Sequence, residues 1–314
     1  MCKPAMSGNR TETPPEVPYL QFREICGRGG TATVWRAWHL ELQRDVAVKV
    51  LDADTLMQPG GLEQFQTEAR ALSCMDHPCI VKGYGAQYAN GRYFYLMDFV
   101  GGYTLGAFLK RKVRIPEVDV LLVVESVAAA LGYAWDTFRT VHCDLKPENL
   151  MVDRDGTVKI MDLGLAAEVI GGATPGAVRP PPDEIVGTPP YMSPEQIYGD
   201  VELDCRSDIY SMGATAYHFA SGRTLFEGLS DDDVVRSHVD RAATSPDPRY
   251  FAPRLSESFV NMLARMLAKD PAERYQSWDE VADACEAVAS GRPVEPPRPG
   301  VPAAFALDPD GVRI

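Results

Sequence analysis

The chain has 314 residues, of which 45% are hydrophobic and 24% charged, and its formal net charge is −13 at pH 7. This length allows two lobes or two small domains around a sizeable core, and the composition is ordinary for a globular protein. The negative charge argues against nucleic acid or anionic membranes as partners. The longest apolar stretch, residues 118–134, carries acidic residues, so we expect no membrane span. The N-terminus lacks an apolar signal core, which favours a cytoplasmic location.

The first third of the chain predicts strands with one main helix. Residues 1–17 combine prolines with polar residues and predict a flexible leader. A strand, a glycine-rich turn and a returning strand are expected next. Residues 45–51 then alternate small and β-branched side chains around an inward Lys49. Residues 62–75 have helical periodicity, which places Glu68 near the apolar stripe of that helix.

Helical patterns dominate beyond residue 100, and we place the boundary between a β-rich and a helical lobe there. Short strands are expected before it, over residues 80–81 and 93–99. Residues 165–186 are rich in Gly, Ala and Pro and predict an extended loop, and residues 291–314 predict a proline-rich tail. The expected helices cover residues 117–137, 208–221, 231–239, 256–267 and 277–289.

The most informative stretch is residues 142–149. It places an acid, Asp144, a lysine, Lys146, and an amide, Asn149, close together. Two short apolar runs separated by a polar turn follow and predict a hairpin, which would bring Asp162 near Asp144. Asn149 and Asp162 are oxygen donors of the kind that hold magnesium against phosphate oxygens. Asp144 would be left to orient or deprotonate a hydroxyl group.

Each of these signals is weak when taken alone. A glycine-rich turn between strands is at least as often a plain hairpin, and the strand that follows it excludes a dinucleotide-binding fold. A lone strand lysine such as Lys49 usually faces solvent, and a helical acid such as Glu68 usually lies on the surface. The sharper interpretation pairs the two, so that the ammonium group bridges two phosphates.

Together and in this order, the motifs resemble those of the eukaryotic-like protein kinase family, specifically its bacterial serine/threonine members, over residues 19–289. The resemblance implies an α+β fold, the bilobal protein kinase-like fold, for residues 18–290. A β-rich N-lobe with one main helix would span residues 18–99 and a helical C-lobe residues 103–290. The implied activity is transfer of the γ-phosphate of ATP to Ser or Thr hydroxyls of protein substrates, with ATP and Mg²⁺ as cofactors. Sensing would be done by a separate regulatory partner if the kinase is not free in the cytosol.

The same resemblance implies the nucleotide site. Lys49 would contact the α- and β-phosphates while paired to Glu68. The loop that covers the phosphates would comprise Gly27, Arg28, Gly29, Gly30, Thr31, Ala32, Thr33 and Val34. The adenine pocket would be formed by the gatekeeper Met97, by the backbone from Asp98 to Val100, and by Ala47, Val34 and Met151 around the ring. Ordinary core packing is nearly as good an explanation for each of these apolar residues alone.

For the catalytic loop, the resemblance implies Asp144 as the base and Lys146 as the group that reaches the transferred phosphoryl. Asn149 and Asp162 would bind magnesium, and Thr188 would brace Asp144 and Lys146 near the acceptor hydroxyl. Two further roles are structural: a buried pair between Glu195 and Arg274, and Asp208 holding the backbone of the catalytic loop.

Three positions depart from the family pattern. Ala32 replaces the third glycine of the loop and Leu163 replaces the usual phenylalanine, and neither change removes a catalytic group. Cys143 stands where many members carry an arginine that pairs with a phosphorylated activation loop. Thr174 and Thr188 are the only Ser or Thr residues between positions 162 and 193. We therefore hypothesise that activity does not depend on phosphorylation of that loop.

Two alternatives compete with an active protein kinase. A pseudokinase that binds ATP as a scaffold is disfavoured because the lysine, the acids and the amide of the catalytic motifs are all present. A small-molecule kinase is disfavoured because residues 187–195 resemble a platform that docks a peptide.

Overall fold

A computed structural model describes residues 13–111, 114–162, 167–168, 187–199, 203–298 and 300–306. The sequence predictions that concern Leu163, Thr174 and most of the loop at 165–186 lie outside these residues.

The N-terminal lobe is built on a five-stranded antiparallel sheet with the spatial order β1-β2-β3-β5-β4. The strands are β1 (Leu20–Arg28), β2 (Ala32–His39), β3 (Arg44–Leu51), β4 (Gly83–Ala89) and β5 (Arg92–Asp98). Strand β3 is the central strand and its last six residues are buried, so both of its faces are covered. The sequence missed β4, because two glycines in that strand weaken the apolar alternation. Residues 80–81, predicted as a strand, form only an isolated bridge with Ile160.

Helices α1 (Ala53–Leu56) and α2 (Gly61–Cys74) complete this lobe. Helix α2 buries Phe65, Glu68, Ala69 and Leu72, the spacing of a single helical face, and this face packs on the sheet. Strand β4 approaches the helix closely at Gly83, where an added Cβ would lie 2.7 Å from Cβ of Leu72. The apolar stripe of α2 therefore carries Glu68 into the interior between the helix and β3.

The C-terminal lobe is helical. Its helices are α3 (Leu105–Leu109), α4 (Glu117–Phe138), α5 (Pro194–Tyr198), α6 (Cys205–Ser221), α7 (Asp231–Val239), α8 (Pro248–Phe251), α9 (Glu257–Met266) and α10 (Trp278–Ala289). Its short strands are β6 (Tyr103–Thr104), β7 (Thr140–Val141), β8 (Leu150–Val152), β9 (Val158–Ile160), β10 (Ala167–Glu168), β11 (Ser245–Pro246) and β12 (Phe305–Ala306). Single turns of 3₁₀ helix cover Pro147–Asn149, Pro189–Tyr191 and Pro271–Glu273. The architecture is the bilobal kinase fold, with a β-rich N-lobe and a helical C-lobe.

Helix α4 bears on the expectation that the chain has no membrane span. By length and hydropathy it could cross a membrane, despite the acidic residues of its first turn, and it is the one described helix that passes this test. Half of its most apolar stretch is buried in the lobe, where α4 packs against α6 and α10. Its hydrophobicity is thus accounted for by the core of the C-lobe.

The two ends of the described chain are packed on the lobes rather than free. Residues 13–17 belong to the predicted leader, yet Val17 is buried against the sheet and Asn90 donates a hydrogen bond to the carbonyl of Glu16 (2.7 Å). In the predicted tail, β12 pairs in parallel with β11, and the buried ring of Phe305 stacks on Tyr217 at 5.7 Å between centroids. Buried apolar side chains such as Val17 and Phe305 anchor these segments, and the polar and proline-rich composition of the segments hides this.

Candidate active site

A cleft between the two lobes gathers most of the predicted catalytic groups. Its volume is about 270 Å³. The residues that line it are Gly30, Thr31, Lys49, Leu51, Thr55, Gly61, Gln64, Phe65, Glu68, Asp144, Lys146, Asn149 and Asp162. The charged members of this set come from β3, α2, the loop after β7 and the segment after β9. The cleft therefore depends on both lobes.

A buried lysine and two carboxylates form one part of the cleft. Nζ of Lys49 donates to Oε1 of Glu68 at 2.7 Å and to Oδ1 of Asp162 at 2.8 Å. The Tyr95 hydroxyl donates to the same Glu68 oxygen at 2.5 Å. Tyr95 lies directly opposite Lys49 in the register of β3 and β5, so both side chains project from the same face of the sheet. The predicted pairing of Lys49 with Glu68 is confirmed.

Attraction between opposite charges keeps Lys49 protonated and Asp162 ionised in this cluster. Burial acts to lower the pKa of Lys49, but the carboxylates of Glu68 and Asp162 outweigh it and the pKa is raised. Burial acts to raise the pKa of Asp162, but the Lys49 ammonium outweighs it and the pKa is lowered. Burial raises the pKa of Glu68. At neutral pH the cluster thus presents an ammonium group and an ionised Asp162 to the cleft.

The catalytic loop forms a second, closed hydrogen-bond network. Nζ of Lys146 donates to Oδ2 of Asp144 at 2.6 Å and to the Thr188 hydroxyl at 2.7 Å. That hydroxyl donates to the other oxygen of Asp144, Oδ1, at 2.8 Å. The prediction that Thr188 braces Asp144 and Lys146 is confirmed. Both carboxylate oxygens of Asp144 are held, so the plane of the carboxylate is fixed.

A buried carboxylate beneath the loop orients its backbone. Oδ2 of Asp208 accepts from the backbone N–H of His142 at 2.7 Å, and Oδ1 accepts from that of Cys143 at 2.9 Å. Cys143 has φ of 66°, in the left-handed region, and this bond helps to hold that conformation. Burial raises the pKa of Asp208. The predicted structural role of Asp208 is confirmed.

Two side chains of the cleft, Asn149 and Asp162, offer oxygen ligands that suit a magnesium ion. Nδ2 of Asn149 donates to the carbonyl of Asp144 at 2.8 Å, so the amide oxygen of Asn149 points away from Asp144. Asn149 and Asp162 both line the same cleft. No cluster of three or more His, Cys, Asp or Glu side chains suited to a metal occurs among the described residues. Mg²⁺ commonly takes one or two protein oxygens and completes its shell with water and phosphate, so a two-residue donor set suits it better than a metal that needs a full protein cage.

The glycine-rich loop has open space beside two of its glycines. An added Cβ at Gly27 or Gly30 would meet no atom within 4 Å. The side chains of Ala32 and Thr33 are buried in the lobe, and Thr33 bonds Asp52 (3.3 Å). Only their backbone can serve a ligand. A small side chain at the third glycine position is thus explained by packing.

The predicted adenine residues lie at the junction of the lobes and outside the residues that line the cleft. Met97 faces Ala47 across β3 and β5, and both are buried, as is Val100. Oδ1 of Asp98 accepts from the Tyr84 hydroxyl at 2.6 Å and from Arg44 at 3.1 Å, and the backbone N–H of Asp98 donates to the carbonyl of Lys82 at 2.9 Å. Val34 and Met151 are partly buried and pack on the same core.

The sequence interpretation missed several residues of the site. Thr55, Gly61 and Gln64 line the cleft, and Tyr95 bonds Glu68. The two strands that carry Lys49 and Tyr95 were both expected, but their register was not, and a register is needed to place one residue opposite the other.

Comparison with known proteins agrees with this geometry. The model of the protein kinase domain family matches residues 20–286. A probable serine/threonine-protein kinase of Streptomyces coelicolor is 34% identical over 298 residues, which are 94% of this chain and 42% of the relative. The serine/threonine-protein kinase PknB of Mycobacterium tuberculosis is 34% identical over 88% of this chain and 44% of its own length. PrkC of Bacillus subtilis, also a serine/threonine-protein kinase, is 29% identical over 83% of this chain and 39% of its own length.

The chain spans less than half the length of these curated relatives. The family match nevertheless covers both lobes and every motif from the glycine-rich loop to the last helix. The chain belongs to the protein kinase domain family, and the relatives described above are bacterial serine/threonine-protein kinases.

Proposed function

We propose that the protein is an ATP- and Mg²⁺-dependent kinase that phosphorylates Ser or Thr hydroxyls of protein substrates. The observation that carries this proposal is the fixed network of Asp144, Lys146 and Thr188, which lies in the same cleft as the Lys49–Glu68 ion pair. A pseudokinase needs no such preorganised acid and lysine. The names of the relatives support the same activity.

In this mechanism Asp144 orients the acceptor hydroxyl and takes its proton. The Thr188 and Lys146 contacts hold its carboxylate, so little reorganisation is needed when the acceptor arrives. Lys146 also supplies positive charge where charge develops on the transferred phosphoryl group. Phosphoryl transfer needs little covalent help from the protein, so fixed positions and charges suffice.

The nucleotide would be held by the other half of the cleft. The Lys49 ammonium, kept in place by Glu68, is suited to the α- and β-phosphates under the open glycine-rich loop. Asn149 and Asp162 would hold the magnesium ion, which supplies charge neutralisation of the phosphate oxygens when it is bound.

The experiment that tests this function measures transfer of the γ-phosphate of ATP to a generic basic protein. Asp144→Asn should reduce the rate by at least about 100-fold, because the proton acceptor is lost. Asp155→Asn is the matched control: it makes the same change in the exposed turn between β8 and β9 and should leave the rate unchanged. A wild-type protein that binds ATP without transferring phosphate would support the pseudokinase alternative.

We further propose that activity does not depend on a phosphorylated activation loop. Cys143 is buried, and its thiol donates locally to the carbonyl of Val141 (3.7 Å). Its carbonyl accepts from Nε2 of Gln196 at 2.6 Å, so protein bonds support the backbone at this position. A cysteine cannot supply the charge that an arginine would offer to a phosphate.

The test compares untreated wild type, phosphatase-treated wild type and Thr174→Ala. All three should transfer phosphate at the same rate. Loss of activity on dephosphorylation, reproduced by Thr174→Ala, would contradict the proposal.

The substrates and the cellular setting are proposals of the same kind. Protein substrates, a cytoplasmic location and a separate regulatory partner are consistent with the kinase domain alone. Phosphoproteomics of cells that carry wild type or Lys49→Met would identify the substrates directly, because the variant loses the phosphate-binding ammonium while the rest of the surface is kept.

A further inference from the structure

A short segment, residues 99–102, connects the two lobes between β5 and β6. The N-lobe holds its first part, since the guanidinium of Arg36 lies over the ring of Phe99, with 4.8 Å between Cζ and the ring centroid. Val100, in the middle of the connection, is buried. The backbone from Asp98 to Val100 is the part of the chain expected to meet the adenine ring, so the position of this connection bears on nucleotide binding.

The turn between β8 and β9 holds the second part of the connection. The N–H of Gly101 donates to Oδ1 of Asp153 at 3.2 Å, and Nε of Arg154 donates to the carbonyl of Gly101 at 3.0 Å. Both polar backbone groups of Gly101 are thus bonded by side chains of one turn. The same Asp153 oxygen accepts from the N–H of Arg154 at 2.7 Å, which fixes the orientation of the carboxylate.

Close packing restricts the connection where it enters the C-lobe. An added Cβ at Gly102 would overlap the carbonyl oxygen of Val152, so the backbone of the connection lies directly against that of β8. An added Cβ at Gly101 would lie 3.1 Å from Nε of Arg154, whose side chain covers this glycine. Strand β6 then pairs with β8, which carries Met151. The turn, the connection and one residue of the expected adenine pocket therefore form one packed unit.

We propose that Asp153 and Arg154 are positioning residues for nucleotide binding, which hold the connection at Gly101, directly after Val100, and so keep its backbone in place for the adenine ring. This proposal rests on the proposed function, since the connection matters through the ATP that it would bind. A backbone that is held in advance loses less conformational freedom on binding, and this raises affinity. The effect should appear in the binding of ATP and much less in the transfer step, whose groups belong to the catalytic loop.

The test compares Asp153→Ala, which removes the acceptor, with Asp153→Asn, whose amide oxygen can accept from the same N–H groups. Asp153→Ala should raise Kd and KM for ATP by roughly 2- to 10-fold, the size of one lost hydrogen bond, with kcat within about 2-fold of wild type. Asp153→Asn should recover most of the affinity. Arg154→Met keeps an unbranched side chain over Gly101 without the Nε–H donor, and it should weaken ATP binding in the same direction. Unchanged ATP affinity in Asp153→Ala or in Arg154→Met would overturn the role of that residue.

Asp155→Ala is the matched control. It removes a carboxylate from the same turn, where Oδ1 of Asp155 accepts from the N–H of Thr157 at 2.9 Å. Its affinity for ATP should equal that of wild type. A loss as large as that of Asp153→Ala would mean that loosening of the turn, and not the bond to Gly101, sets the affinity, and the proposal would fail.

Hydrogen exchange and direct binding of ATP are readouts that need no phosphate transfer. The amide of Gly101 should exchange faster in Asp153→Ala and close to wild type in Asp153→Asn and Asp155→Ala. The amide of Asp98, which bonds the carbonyl of Lys82 at 2.9 Å, should exchange equally in all of them. Equal exchange of Gly101 in Asp153→Ala and wild type would overturn the proposal, and so would an Asp153→Asn variant no better than Asp153→Ala. A wild type that binds ATP without transferring phosphate would refute the proposed function alone, and one that binds no ATP would refute both.

Discussion

Removal of the carboxylate of Glu195 should be among the most destabilising single changes in the C-lobe. The Arg274 side chain is completely buried and all of its donors are used. It bonds both oxygens of Glu195, at 2.6 and 2.9 Å, and the carbonyls of Ala268 (2.7 Å), Arg206 (2.7 Å) and Lys269 (3.2 Å). The predicted pair is thus confirmed and lies inside a complete shell of acceptors.

The magnitude follows from that burial. Glu195→Ala removes the only countercharge in this shell and leaves two N–H groups without acceptors, while the three carbonyls carry no net charge. Breaking a buried ion pair from one side costs about 3–5 kcal/mol of unfolding free energy. The double variant Glu195→Ala with Arg274→Met removes both charges, so its loss should be clearly smaller than the sum of the two single losses.

Urea unfolding followed by tryptophan fluorescence measures these changes, since Trp278 is buried in the same lobe. The control is Glu227→Ala, which breaks an exposed pair with Arg223 (2.8 Å, side chains 54% and 48% exposed). Such a pair is worth less than about 1 kcal/mol. The reasoning would be refuted if Glu195→Ala lost no more stability than this control, or if the single losses were additive.

Two further predictions concern the active-site network and pH. Thr188→Ala should lower kcat by roughly 10- to 100-fold, because two hydrogen bonds to charged groups are lost, whereas Thr188→Ser should keep most of the rate in the same transfer assay. An alanine variant as fast as the serine variant would contradict the bracing role. Burial lowers the pKa of His238 from 6.5 to about 3, helped by Lys269, so the folded state resists a proton that the unfolded chain takes up below pH 6.5. The stability that neutral His238 contributes is therefore complete above pH 6.5 and is lost as the pH falls from 6.5 towards 3, by up to about 1.4 kcal/mol per pH unit. Urea unfolding across this range should show His238→Gln losing less stability than wild type on acidification, and parallel curves would count against a buried neutral histidine.

Local sequence patterns were sufficient for most of the elements. The predicted helix at 231–239 coincides with α7, and the expected hairpin after residue 149 is formed by β8 and β9. Apolar periodicity and turn residues are properties of neighbouring positions, so a single chain displays them directly. The types and order of Lys49, Asp144 and Asp162 could likewise be read from the sequence, because each charged residue lies next to a short apolar run.

Tertiary packing decided the remaining features. Tyr95 joins the Lys49–Glu68 pair only because of the register of β3 with β5, and Val17 and Phe305 are anchored by contacts with distant strands and helices. His238 was absent from the sequence interpretation, since a lone histidine at the end of an acidic helix carries no local signal.

By itself, the sequence determined the kinase family, the candidate catalytic groups and the absence of an arginine beside Asp144. These depend on residue types and spacings along the chain. Only the tertiary structure decided which oxygen of Asp144 faces Lys146, how deeply Arg274 is buried, and that α7 packs against the turn Pro189–Tyr191. Distances, burial and hydrogen-bond direction arise between segments far apart in sequence, and they decide how strongly each of these groups can act.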